Sequence, residues 1–363
     1  MAFSAALKYL FSFRPQTSRR YAWVDYAKGI AIIFVTYRHV IYGLLYSGAK
    51  VNTMLMDANE IMYGFRMPLF FFLSGLFFAS SLQKRGGRNF LTSKVNTLLY
   101  PYILWCLIQL TLQIIFSKYT NSKPSINDYV DIIIHPRSML QLWYLFALFN
   151  VSVFYLFTTR ILKLTPPVQI LLGLVLLGLK PYAGDISTIS DVMIYYIYFA
   201  LGHFATPYFF RDSVQKQLTS PIKVILLVPV FILVQYYCME HVNMSLYLYS
   251  LLNLLGGILV IMISFILAKY NRLSFLQTIG HYSLYIYLLH LGIIFSLRII
   301  IIKTGFFTNI TVIALSLVAI GIFLSILLYR LCLLLNLRFL FIGPFKERKV
   351  SDLPKDNRQV SVP

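Results

Sequence analysis

Lys28 and His39 share the apolar stretch DYAKGIAIIFVTYRHVIYG and are the first residues whose type and spacing suggest chemistry. On a helix advancing 100° per residue, eleven positions bring them to within about 20° of the same face, separated by a rise of about 16.5 Å, or three turns. That places an ammonium near one membrane surface and an imidazole beyond the midplane, where neutral imidazole accepts protons at ambient pH. Plainer uses exist. Lys28 can snorkel to headgroups or pair with Asp25, and His39 can hydrogen-bond a neighbouring helix. Arg38, one step away, is expected to point elsewhere. Other apolar stretches hold Arg66, Arg298 and a second histidine, His290, one turn after Tyr287. A charge at mid-bilayer costs on the order of 3 kcal/mol on insertion scales, so it faces a wet cavity or a partner and marks a candidate site. The expectation is a polar lane along the first span.

The elements that must carry these residues follow from composition. The chain has 363 residues, 59% apolar and 12% charged, with mean hydropathy +0.74. Too little polar surface remains for a soluble globule, which excludes a cytosolic enzyme. Apolar runs long enough to cross about 30 Å of hydrocarbon fall near 26 to 46, 61 to 82, 95 to 116, 139 to 158, 166 to 180, 190 to 210, 222 to 239, 247 to 268, 279 to 302 and 308 to 333. The fold class is therefore all-α, a polytopic transmembrane helix bundle of about ten spans, or nine if the short stretch 166 to 180 does not cross fully. Residues 1–25 read as a basic cytoplasmic N-tail without a cleaved signal peptide, 26–333 as the transmembrane domain, and 334–363 as a polar, disordered C-tail.

The formal charge of +20 would suggest nucleic acid in a soluble protein, but here it reports topology. One set of alternate loops and both tails hold most of the Lys and Arg residues. The other set holds only Lys50, Lys118, Lys123, Arg137, Lys180 and Lys303. By the positive-inside rule both termini are cytoplasmic. Cys106, Cys238 and Cys332 are odd in number and scattered, so no disulfide framework is indicated. His135, His203, His241 and His281 lie in loops or near span ends, without metal-ligand spacing, and no metal is expected.

Asp25 to Ala31 with His39 closing the span resembles the first helix of the integral membrane acyltransferase-3 family, particularly members similar to fucose 4-O-acetylases. Further matches follow in order: Met67 to Gly75 (MPLFFFLSG), Lys94 to Pro101-Tyr102, Leu142-Trp143-Tyr144-Leu145, and Ser283 to His290 (SLYIYLLH). Arg66 stands where a histidine is frequent in that family, and Thr97 where a second basic residue is often seen.

The resemblance implies an O-acetyltransferase of the plasma (inner) membrane that takes acetyl from cytoplasmic acetyl-CoA, a donor substrate, to a carbohydrate or glycolipid hydroxyl. In that light Lys28 and Lys94 are candidate phosphate contacts for the acyl-CoA, His39 the candidate base and His290 its catalytic companion or a helix tie. Arg66, Arg298 and Trp143 are candidate acceptor contacts, although Trp143 equally suits an interfacial anchor. Ser74-Gly75 reads as a packing surface rather than a nucleophile. The lipid bilayer is the other partner expected, and nucleic acid is not. A transporter or flippase is the alternative, since intramembrane charges also line substrate pathways; no matching Gly/Pro-broken segments recur in the two halves to favour it. Reporters attached at Lys50 and Arg88 are expected outside and inside, respectively; the same side for both would overturn the topology.

Overall fold

The computed structural model describes residues 8–12, 21–115, 125–241, 243–304 and 309–347. Helix makes up 85% of it, and no strand occurs among the described residues. Most of the N-tail (1–7 and 13–20), Lys118, Lys123 and the tail beyond Glu347 lie outside the described residues.

The main helices are α1 (Ala22–Tyr46), α2 (Thr53–Ile61), α3 (Arg66–Leu76), α4 (Phe78–Lys94), α5 (Tyr100–Ile115), α6 (Trp143–Arg160), α7 (Pro166–Leu179), α8 (Ser187–Phe209), α9 (Pro221–Glu240), α10 (Leu246–Lys269), α11 (Ser274–His281), α12 (Ser283–Thr304) and α13 (Ile310–Leu334). By length and composition, eight helical stretches can cross a membrane: Ala22–Tyr46, Phe78–Ile115, Pro136–Arg160, Pro166–Ala183, Pro221–Glu240, Leu246–Lys269, Ser283–Thr304 and Ile310–Leu334. Two expected spans are absent from that set for local reasons. The run 61 to 82 is interrupted by a turn at Phe77, between α3 and α4. The helix over 187 to 209 is long enough but carries Asp191 and a group of tyrosines that lower its hydropathy. Between the second and third expected spans the chain breaks at Gly86, whose φ of 71° and ψ of 165° only glycine adopts easily.

The chain forms two compact units. The first comprises Met1–Phe70 and Phe209–Leu337. Its central element is α1, which contacts α2, α10, α11, α12 and α13. Asn52, Ser245 and Asn309 cap α2, α10 and α13 by accepting from main-chain N–H groups of the first turn, which fixes where each helix starts. Two glycines set the closest approach. A Cβ on Gly29 would sit on the Leu276 carbonyl, and one on Gly280 on the Asp25 carbonyl, so α1 and α11 touch backbone to backbone. Between apolar helices in lipid, the dispersion energy of such small-residue contacts stands in for the hydrophobic driving force that water provides to a soluble core.

The second unit comprises Phe71–Tyr208 and Arg338–Pro363. There Gly75 faces the Phe199 carbonyl and Gly202 the Phe72 carbonyl, so the Ser74-Gly75 pair sits at a close helix contact, as a packing surface would. A π-helical turn, Val95–Leu99, joins α4 to α5. The Asn96 side chain at that turn accepts from the Phe345 N–H (3.0 Å) and donates to its carbonyl (2.6 Å), while the Trp105 indole donates to Leu340 (2.8 Å). Residues from Arg338 to Phe345 are therefore held in place, and Phe341 is fully buried.

Gly280→Ala is expected to lower the unfolding temperature of the detergent-solubilised protein by several degrees, because overpacking a tight contact costs about 1–3 kcal/mol. Gly292→Ala, whose Cβ meets nothing within 4 Å, is the control. Equal shifts would mean that the α1 to α11 contact is not tight.

Candidate functional site

An unbroken α1 carries Lys28 and His39 three turns apart, Lys28 near its start and both partly exposed. The stripe joining them is not a continuous polar lane. Ile32 and Val35 occupy it, and both are buried, 1% and 4% exposed. The sequence expectation fails there because matching helical phase at 28 and 39 says nothing about the two positions between them.

The His39 ring meets that of His290, from α12, with centroids 5.2 Å apart and planes at 52°. His290 is fully buried, and its Nδ1 lies 2.8 Å from the Ile286 carbonyl one turn earlier. A carbonyl oxygen can only accept, so in this contact Nδ1 carries the proton and Nε2 presents a lone pair. That Nε2 is buried and has no hydrogen-bond partner. The pair thus combines a partly exposed imidazole with a buried one whose tautomer is fixed by its own helix.

Two arginines hold α1 on either side of His39. Arg66, 2% exposed at the start of α3, donates through Nη1 to the Phe34 carbonyl (2.5 Å) and through Nε to Tyr63 (3.2 Å). Its position is set by the preceding residues. Gly64 leaves room for the Asn253 amide, and Phe65 packs edge-on against Phe231 at 5.8 Å and lies over Gly256. Arg298, on α12, donates to the Gly43 carbonyl, one turn beyond His39, and stands 5.2 Å over the Phe295 ring. Both arginines expected at the site therefore lie along the same part of α1 as His39.

Arg38, expected to point away from the Lys28 stripe, still belongs to this cluster. Its guanidinium packs on the Tyr42 and Tyr63 rings, 4.4 and 4.1 Å from their centroids, with Glu60 at 3.5 Å. It and Arg66 are charged neighbours of the His39 ring. The adjacent RH pair in the sequence is the signal that could have drawn attention to it. A second residue that the sequence reading did not single out is Arg330. It lies buried within α13, donating to the Leu10 carbonyl (3.1 Å) under Tyr9. Its place inside the apolar run ILLYRLCLLL was the visible clue.

Lys94 and Trp143 lie in the second unit. Lys94 ends α4 with its ammonium 5.3 Å over the Phe90 ring. Trp143 opens α6, and its ring already carries the Arg137 guanidinium at 4.7 Å, which pairs at 2.6 Å with the buried Asp191. Among the described residues no three His, Cys, Asp or Glu side chains converge as metal ligands.

A helical chain with eight stretches able to cross a membrane and a buried histidine and arginine cluster belongs to the polytopic integral membrane proteins. More particularly, a family model described as an acyltransferase domain matches residues 21–330, and the chain belongs to that acyltransferase-3 family. Nodulation protein NolL of Mesorhizobium japonicum (strain LMG 29417 / CECT 9101 / MAFF 303099) is similar, 30% identical over 97 residues. Those residues are 27% of this chain and 26% of that protein, so the match spans about a quarter of the relative's length. No solved structure matches the chain.

Proposed function

We propose that this protein is an O-acyltransferase of the plasma membrane, moving an acyl group, acetyl in the first instance, from cytoplasmic acyl-CoA to a hydroxyl of a cell-surface polysaccharide, glycolipid or lipid-linked sugar. Family membership supports the reaction class. The observation that carries the site is the His39–His290 pair, set among arginines on a helix whose far end bears Lys28.

In this reading His39, the more exposed ring, takes the proton from the acceptor hydroxyl as its oxygen attacks the thioester carbonyl. The new ester C–O bond forms, the C–S bond breaks, and the proton passes to the departing thiolate, giving free CoA. His290 Nε2, an acceptor without a partner, can take a hydrogen bond from the transient His39 imidazolium. Lys28 contributes a point charge to a donor phosphate. A pantetheine arm running from Lys28 to His39 passes Ile32 and Val35, so donor entry displaces the side chains packed over them. Arg66 and Arg298, while holding α1, keep positive charge beside the reacting oxygen atoms. The reading rests on the first unit alone. Lys94 and Trp143 carry none of it.

Two measurements test it. In liposomes supplied with labelled acetyl-CoA and cell-envelope glycan, His39→Ala is expected to abolish transfer at unchanged expression, a loss of about 100-fold or more for a general base; near-normal transfer would remove His39 from the role. Lys28→Ala is expected to raise the acetyl-CoA KM several-fold with kcat little changed, and Lys28→Arg to raise it less. Equal effects of the two substitutions would argue against a phosphate contact.

A further inference from the structure

The arginines around His39 leave a charge imbalance. Arg66 and Arg298 donate to main-chain carbonyls, which are uncharged. Among the described residues, Arg38 alone of the three pairs with a carboxylate, that of Glu60. Three guanidinium charges thus stand against one carboxylate in an apolar helix bundle, where unbalanced charge is costly.

The single pair is itself loose. Nη1 of Arg38 is 3.5 Å from Glu60 Oε1, and that nitrogen is buried without a hydrogen-bond partner. Glu60 instead accepts from the Asn59 amide at 2.7 Å and the Tyr42 hydroxyl at 3.3 Å. The Arg38 and Glu60 side chains remain 27% and 37% exposed, so a solute can reach the pair without dismantling the bundle. The guanidinium packs on the rings of Tyr42 and Tyr63, and its buried Nη1 remains a donor that a planar or tetrahedral oxyanion reaching the pair would satisfy.

We propose that the acceptor is anionic, with a carboxylate or phosphate near the hydroxyl that is acylated, and that Arg38 binds this group while Glu60 occupies its place in the empty site. The inference rests on the acyl-transfer reading above and narrows its substrate class. Because Arg38 is a charged neighbour of the His39 ring, the bound anion holds the neighbouring hydroxyl beside the base. Glu60 acts as an internal competitor: it balances the cation at rest and must yield it to the substrate.

The test uses the full chain in liposomes with labelled acetyl-CoA and two matched acceptor pairs. One pair is a glucuronate-containing oligosaccharide and its carboxyl-reduced counterpart. The other is a sugar on polyprenyl diphosphate and the same sugar as a neutral alkyl glycoside. The charged member of at least one pair is expected to be preferred by about tenfold or more in kcat/KM, and the pair that responds identifies carboxylate or phosphate. Arg38→Gln should collapse that preference, Arg38→Lys should retain part of it, and Glu60→Gln should lower the KM for the charged acceptor. Equal use of both members in both pairs overturns the proposal while leaving acyl transfer standing. So does a Glu60→Gln protein whose KM rises for charged and neutral acceptors alike, since the pair would then be only a structural tie. Failure to release CoA with any acceptor overturns the acyl-transfer reading and this inference with it.

Discussion

Much of the first unit depends on arginine side chains donating to main-chain carbonyls of α1. An α-helix normally spends each carbonyl on the N–H four residues later, yet the oxygen retains a second lone pair. Arg66 uses that capacity at Phe34 and Arg298 uses it at Gly43. A buried guanidinium short of such partners would be severely destabilising, so these bonds are not optional decoration. Their consequence is positional. With α1 gripped below and above His39, and pressed backbone to backbone on α11 through Gly29 and Gly280, its rotation and height are fixed. The His39 ring is left facing His290.

In the acyl-transfer reading proposed above, that arrangement lets a single helix serve two ends of the reaction. Lys28 and His39 are rigidly spaced by the rise of one unbroken helix rather than by a fold of loops. His290 has its tautomer set by Ile286 of the same helix, so its free lone pair is assigned before any substrate arrives. The buried aliphatic pair Ile32 and Val35 separates the two ends at rest. In the acyl-transfer reading, a bundle closed in this way would keep water from the buried His290 and so protect a thioester donor from hydrolysis until the acceptor is present.

The sequence was legible where periodicity and cost coincide. Lys28 and His39 could be placed on one face by arithmetic, and Arg66, Arg298 and His290 stood out because polar groups in apolar runs need a reason. The all-helical class was legible for the same cause. What could not be read was anything set by packing between distant segments. The turn at Phe77 follows a glycine, Gly75, that reads equally well as a helix-contact position, and α11 was hidden because SFLQTIGH is too short to register as a separate element. Arg38 looked misdirected because its partners, Tyr63 and Glu60, lie in the chain between α1 and α3, a segment that helical phase cannot position. Arg330 drew no attention because it lies near the end of the last apolar run, although the helix continues past it to Leu334.

The Asn96 clamp bears on how the protein can be handled. Its amide engages both main-chain atoms of Phe345, much as a neighbouring strand would, and Trp105 gives its only N–H to Leu340. Shortening the chain to Leu337, where the last long helix has ended, would strip partners from both side chains and remove the buried Phe341. Affinity handles and fluorescent fusions therefore belong downstream of Glu347, and a deletion series from the carboxyl end should meet its first sharp fall in yield between that residue and Leu340.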